Sequence, residues 1–157
     1  MLRILIADDQ WVFRENLRTL IDRHTAMKVV GEAEDGWSAY GMAYDLAPDV
    51  VVMDVNMPDM NGVEATKSIT ARVPGVKVIA LSMHSDKRFV SRMIEAGASG
   101  YILKECAFEE LITAIRSVAK NRKYFSSEIA AVVKKTAQPT ATSTGRSGKS
   151  ARAPGCR

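Results

Sequence analysis

Val50-Val51-Val52-Met53-Asp54 is a run of four apolar residues closed by one carboxylate. A short continuous apolar run rich in β-branched residues reads as a strand buried on both faces, as in a parallel sheet. Three further runs close on a polar group in the same way. Leu2-Arg3-Ile4-Leu5-Ile6-Ala7 meets Asp8-Asp9, Val76-Lys77-Val78-Ile79-Ala80-Leu81 meets Ser82, and Tyr101-Ile102-Leu103 meets Lys104. Ligands of open parallel sheets bind outside the carboxyl ends of the strands. If these runs are neighbours, three carboxylates, a hydroxyl and an ammonium converge on one edge.

Working outward, strand-like and helix-like segments alternate five times. The expected strands are Arg3–Ala7, Lys28–Ala33, Val50–Asp54, Val76–Leu81 and Gly100–Leu103. The expected helices lie near Val12–Asp22, Trp37–Leu46, Val63–Ala71, Lys87–Ala96 and Phe108–Ala119. The last has the cleanest helical period, with Phe108, Leu111, Ile112, Ile115 and Val118 on one face. Repeated strand–helix units imply a parallel sheet with helices on both faces. Ser126-Ser127-Glu128 is a cap for a sixth, short helix through Lys135, with Ile129, Val132 and Val133 as its apolar face.

From Thr136 the composition changes to Thr, Ser, Ala, Pro, Gly and basic residues, with no leucine, isoleucine, valine or aromatic side chain. Such a stretch buries too little apolar surface to offset its ordering entropy, so residues 136–157 are expected to be a disordered basic tail. The formal net charge of +4 belongs to this end: residues 126–157 carry net +5, residues 1–125 net −1. A basic tail without a groove-reading element predicts no sequence-specific DNA binding by this chain as it stands. No apolar stretch approaches the ~20 residues of a membrane span, and no signal-peptide pattern opens the chain. The expectation is a cytoplasmic protein with no membrane partner. Cys106 and Cys156 have no metal-ligand spacing and read as two incidental thiols, a disulfide being unexpected in that compartment.

The carboxylates suit magnesium (Mg2+), a hard cation that takes oxygen ligands and keeps several waters. Asp9 and Asp54 suit direct ligation and Asp8 ligation through water, with the backbone carbonyl of Asn56 as a further oxygen. A carboxylate can also attack phosphorus to form an aspartyl phosphate. Asp54, which ends the middle strand, is the candidate. Magnesium and the Lys104 ammonium would neutralise the phosphoryl oxygens, one of which Ser82 could hydrogen-bond. Singly, an Asp pair, a Ser after a strand and a lone Lys are commonplace. Their order and their strand-end placement set them apart.

Asp8-Asp9, Asp54 through Gly62 in the run Asp-Val-Asn-Met-Pro-Asp-Met-Asn-Gly, Leu81-Ser82 and Tyr101-Ile102-Leu103-Lys104 resemble a bacterial response-regulator receiver domain, in register from about Leu2 to Lys120. Asp9 through Leu17, Gly97 through Tyr101 and Lys123 through Ala130 further resemble the NarL/FixJ (LuxR-type) subfamily. The resemblance implies a flavodoxin-like, doubly wound, five-stranded parallel sheet of order 2-1-3-4-5 with five helices. It divides the chain into a receiver over residues 1–122, a linker helix over 123–135 and the tail. It implies Asp54 as phosphoacceptor, a sensor histidine kinase as donor, and Ser82 with Tyr101 as a switch pair whose aromatic ring turns from exposed to buried. A half-buried edge-strand aromatic is the alternative for Tyr101. Homodimerisation is a possible output, with Trp11, Phe13, Trp37 and Tyr40 as candidate exposed aromatics.

Most members of the subfamily continue into a helix-turn-helix DNA-binding domain, and no such pattern follows Lys135 here. Arg146 to Ser150, Arg-Ser-Gly-Lys-Ser, is what one deleted G makes of codons for Arg-Glu-Arg-Glu-Val, a common opening of that domain. A frameshift, native or introduced, is therefore one reading of the tail. The competing function is a magnesium-dependent phosphohydrolase working through an aspartyl phosphate. Such enzymes usually carry an Asp-x-Asp nucleophile motif on the first strand, whereas this chain has adjacent aspartates there and no cap insertion.

Overall fold

The computed structural model describes residues 1–137. Six strands and six helices alternate: β1 Leu2–Ala7, α1 Trp11–Asp22, β2 Met27–Ala33, α2 Gly36–Leu46, β3 Val50–Asp54, α3 Gly62–Arg72, β4 Lys77–Ser82, α4 Lys87–Glu95, β5 Gly100–Leu103, α5 Ala107–Ala119, β6 Tyr124–Phe125 and α6 Ser127–Ala137. A single 3-10 turn, Lys104–Cys106, joins β5 to α5. The sheet order is β2-β1-β3-β4-β5-β6, and every neighbouring pair is parallel.

The period-two alternation of side chains splits the core between the two faces of the sheet. Ile4, Ile6, Val50 and Val52 pack with Leu17 and Ile21 of α1 and Leu111, Ile115 and Val118 of α5. Leu5, Ala7, Val51 and Met53 face the other way, toward Ala39 and Ala43 of α2 and Ala65 and Ile69 of α3. β3 has neighbours on both edges and both faces, and all five of its residues are buried.

The register levels the strand ends. Ala7 pairs with Met53, Asp54 with Leu81, and Ser82 with Leu103. Asp8 and Asp54 therefore stand side by side, and Ser82 and Lys104 follow one step further along the same edge. Gly62, at the start of α3, fixes the backbone beneath Asp54. A Cβ there would overlap the Asp54 carbonyl oxygen and approach Val55 Cα to 2.8 Å.

The expected five-stranded sheet gains a sixth strand. Tyr124 N–H donates to the Ser99 carbonyl and Ser126 N–H to that of Tyr101, each at 3.1 Å. Two residues are too short to show a period, and the strand exists because the open edge of β5 supplies partners. Tyr101 consequently lies on an interior strand, fully buried, rather than half-buried at an edge. The sixth helix reaches Ala137, two residues past the expected end at Lys135; it packs against α4, and Ile129 is buried in the same core cluster as Val90 and Met93. Residues 138–157, with the expected disorder and the Arg146–Ser150 reading, lie outside the described residues. Cys106 is buried in the core at the turn after β5, and Cys156 lies outside the described residues. No helix among the described residues is long and apolar enough to cross a membrane.

Candidate functional site

The site assembles where the register predicts. Asp8 and Asp54 are buried, Asp9 is exposed, and each offers a carboxylate oxygen within 4.8 Å of the others. Lys104 enters from the turn after β5. Its Nζ lies 2.8 Å from Asp8 Oδ2 and 3.5 Å from Asp54 Oδ2. The backbone orients both buried carboxylates: Gln10 N–H donates to Asp8 Oδ1 at 2.8 Å, and Asn56 N–H to Asp54 Oδ1 at 3.2 Å. Asn56 itself is exposed.

These surroundings set the charge of Asp54. Burial pushes its carboxyl up to about 7, and repulsion from Asp8 adds to the rise. The Lys104 ammonium and the Asn56 N–H oppose it, and Asp9 contributes a smaller upward push. Three convergent carboxylates, two of them buried, form a site whose electrostatics a cation would relieve.

Ser82 is buried at the end of β4 and its Oγ accepts from His84 N–H at 2.9 Å. The Tyr101 hydroxyl donates to the His84 carbonyl, also at 2.9 Å. Both side chains therefore hold the same residue from opposite ends of its backbone. Burial raises the pKa of the Tyr101 phenol, keeping it protonated for that donation. The His84 ring stacks on Phe89 of α4, with centroids 4.9 Å apart and planes 12° apart.

The sequence reading missed three contacts here. His84 lies in a loop with no periodic signal. Gln10 Oε1 accepts from Lys104 Nζ at 3.4 Å, and the Phe13 ring lies under the same ammonium. A polar residue directly after the acidic pair is the one signal that pointed to Gln10. Of the candidate exposed aromatics, Trp11 and Trp37 are exposed, as is Tyr44, whereas Phe13 and Tyr40 are only half so.

Known proteins resemble this chain in sequence and fold. The model of the response regulator receiver domain matches residues 4–116. The transcriptional regulatory protein DegU of Brevibacillus brevis is 40% identical over 128 residues, 82% of this chain and 54% of that protein. Response regulator UvrY of Escherichia coli is 38% identical over 130 residues, 83% of this chain and 60% of its own length. The chain thus spans somewhat over half the length of these curated relatives. Among solved structures, a LuxR-family two-component response regulator from Aurantimonas sp. superposes with a TM-score of 0.81 at 35% identity, covering 87% of this chain and 97% of that one. The receiver domain of the response regulator NarL from Mycobacterium tuberculosis does so with a TM-score of 0.74 at 30% identity, covering 77% and 98%. The fold, the strand-end cluster and these likenesses agree: the chain belongs to the response-regulator receiver family, among its NarL/FixJ (LuxR-type) members.

Proposed function

We propose that this chain is a phosphorylation-activated switch that accepts a phosphoryl group on Asp54 from a sensor histidine kinase. The observation that carries the reading is the placement of Asp54. It ends a fully buried interior strand, with the Lys104 ammonium 3.5 Å away and two more carboxylates within 4.8 Å. An Asp54 carboxylate oxygen attacks phosphorus as the bond to the donor breaks, leaving an acyl phosphate. Lys104 neutralises charge on the transferred group, and the Ser82 hydroxyl donates a hydrogen bond to one of its oxygens.

The donor set fits magnesium, with Asp9 and Asp54 as direct ligands, Asp8 acting through water, and the Asn56 carbonyl as a further oxygen. Once bound, magnesium supplies positive charge against the phosphoryl oxygens. The chain promotes only its own phosphorylation and dephosphorylation and turns over no external substrate.

We take residues 1–122 as the receiver, 123–135 as the linker helix and 136–157 as a basic tail. The protein acts in the cytoplasm. Its output is a changed Ser82/Tyr101 surface that controls a homodimer or another partner, without sequence-specific DNA binding by this chain alone. Incubation with acetyl phosphate and magnesium tests the reading. One acid-labile phosphate per chain, lost in Asp54→Asn, is expected. Full labelling of Asp54→Asn, or continuous turnover of an external phosphate ester, rejects it, the latter in favour of the phosphohydrolase.

A further inference from the structure

The Lys104 ammonium sits over the face of the Phe13 ring, 4.7 Å from its centroid. Phe13 is on α1 and Lys104 is in the turn after β5, so the pair bridges two elements across the site. The ring is itself fixed by Phe108 of α5, which meets it edge-on with centroids 5.8 Å apart and planes at 69°. The same ammonium meets three oxygens: Asp8 Oδ2 at 2.8 Å, Asp54 Oδ2 at 3.5 Å and Gln10 Oε1 at 3.4 Å. Phe13 and Lys104 share with Gln10 and Ser82 the lining of one cavity of about 240 Å³.

A lysine carries its charge on a flexible four-carbon stem, so something must confine it. An aromatic face suits that task. It attracts a cation through its quadrupole, more strongly when the cation is desolvated, and Lys104 is only 9% exposed. The ring is neutral and accepts no proton, so it does not compete with a phosphoryl group as a fourth carboxylate would. An aliphatic side chain of similar size would fill the space without attracting the charge.

We propose that Phe13 is a positioning residue for phosphoryl transfer, its ring face holding the Lys104 ammonium within reach of the Asp8 and Asp54 carboxylates. This rests on the reading of Asp54 as the phosphoacceptor. Positioning accounts for most of phosphoryl-transfer catalysis, so loosening this one charge slows the step without removing any reacting group.

The test measures phosphate uptake from acetyl phosphate with magnesium, alongside the Lys104 side-chain proton resonances, which a ring face shifts upfield. Phe13→Leu is expected to slow uptake about tenfold, equivalent to ~1.4 kcal/mol, and to abolish the upfield shift. Phe13→Tyr and Phe13→Trp retain the shift and stay within about threefold of the parent. In a Lys104→Ala background Phe13→Leu has no further effect. Phenylalanines fluorinated stepwise at position 13 keep the ring's shape and weaken its quadrupole, so the rate falls with each fluorine even if Phe13→Leu folds poorly. Equal rates across the fluorinated series overturn the proposal, as does an undiminished Phe13→Leu effect without Lys104. Absence of phosphate uptake by the parent chain overturns the Asp54 reading instead, and the resonance shift still reports the Phe13–Lys104 contact separately.

Discussion

As the proposed phosphoacceptor, Asp54 must be ionised to attack phosphorus, yet its surroundings favour the neutral form. Its carboxyl is raised from 3.8 to about 7, chiefly by burial and then by Asp8. The sign of the linkage follows. Below about pH 4 the group is protonated in folded and unfolded chains alike, and it imposes no penalty. As pH rises toward 7 the unfolded chain has already ionised it, so the folded state loses stability, and above 7 the penalty is complete. At 1.36 kcal/mol per pH unit, a shift of this size corresponds to about 4 kcal/mol at most. Asp54→Asn should therefore stabilise the metal-free protein at pH 8 and much less at pH 5, as read by urea unfolding in chelator. An equal gain at both values would mean that burial does not set this carboxyl. At this scale the residues that end strands were legible in the sequence, because a polar group closing an apolar run is a local pattern. Gln10, Phe13 and His84 were not, because the ring under Lys104 and the peptide shared by Ser82 and Tyr101 exist only once separate elements meet.

At the scale of elements, the C-terminal segment departs most from its sequence reading. The five long strand–helix units were readable because each carries its own period. β6 and the docking of α6 depend instead on what β5 and α4 leave uncovered. Ser126, at the start of α6, shows the join. Its Oγ donates to Glu110 Oε1 at 2.9 Å and accepts the Leu103 N–H at 3.3 Å, in a buried position next to Lys104. Nearby, burial and then the Glu110 charge push the Tyr124 phenol up to about 12. Ile129 then buries α6 in the core cluster that also holds Val90 and Met93 of α4. Truncating a buried isoleucine to alanine costs about 2–5 kcal/mol where the site cannot collapse. Ile129→Ala should lose about 2 kcal/mol in urea unfolding, toward the low end because a terminal helix can open locally, and should speed amide exchange in α4. A loss below about 0.5 kcal/mol, the range of a surface change, would mean that α6 is not packed there in solution.

For the molecule as a whole, the question is how a group bound at one edge of the sheet changes a distant face. His84 is placed to provide the path for the proposed switch. Ser82 Oγ holds its N–H and the Tyr101 hydroxyl holds its carbonyl, while its ring stacks on α4, which in turn carries α6. A phosphoryl oxygen on Asp54 offers the Ser82 hydroxyl a charged acceptor. That hydrogen bond is worth ~1.5–3 kcal/mol net, which changes a two-state population roughly 10- to 150-fold. Such a gain suffices where the active arrangement is a minor state. Moving Ser82 alters its hold on the His84 N–H, so the loop after β4, the Tyr101 ring and α4 must readjust together. The structure holds one of the two expected positions of that ring, the buried one. Beryllofluoride, which mimics the phosphoryl group, should therefore change amide exchange at Ser82–His84, along α4, around Tyr101 and in α6, with the strand cores of β1 and β3 unaltered. Tyr101→Phe, which lacks the hydroxyl, should keep the response at Ser82 and lose most of it in α4 and α6. If the changes stay within residues 54–62, or if Tyr101→Phe passes them on undiminished, the His84 peptide is not the connection.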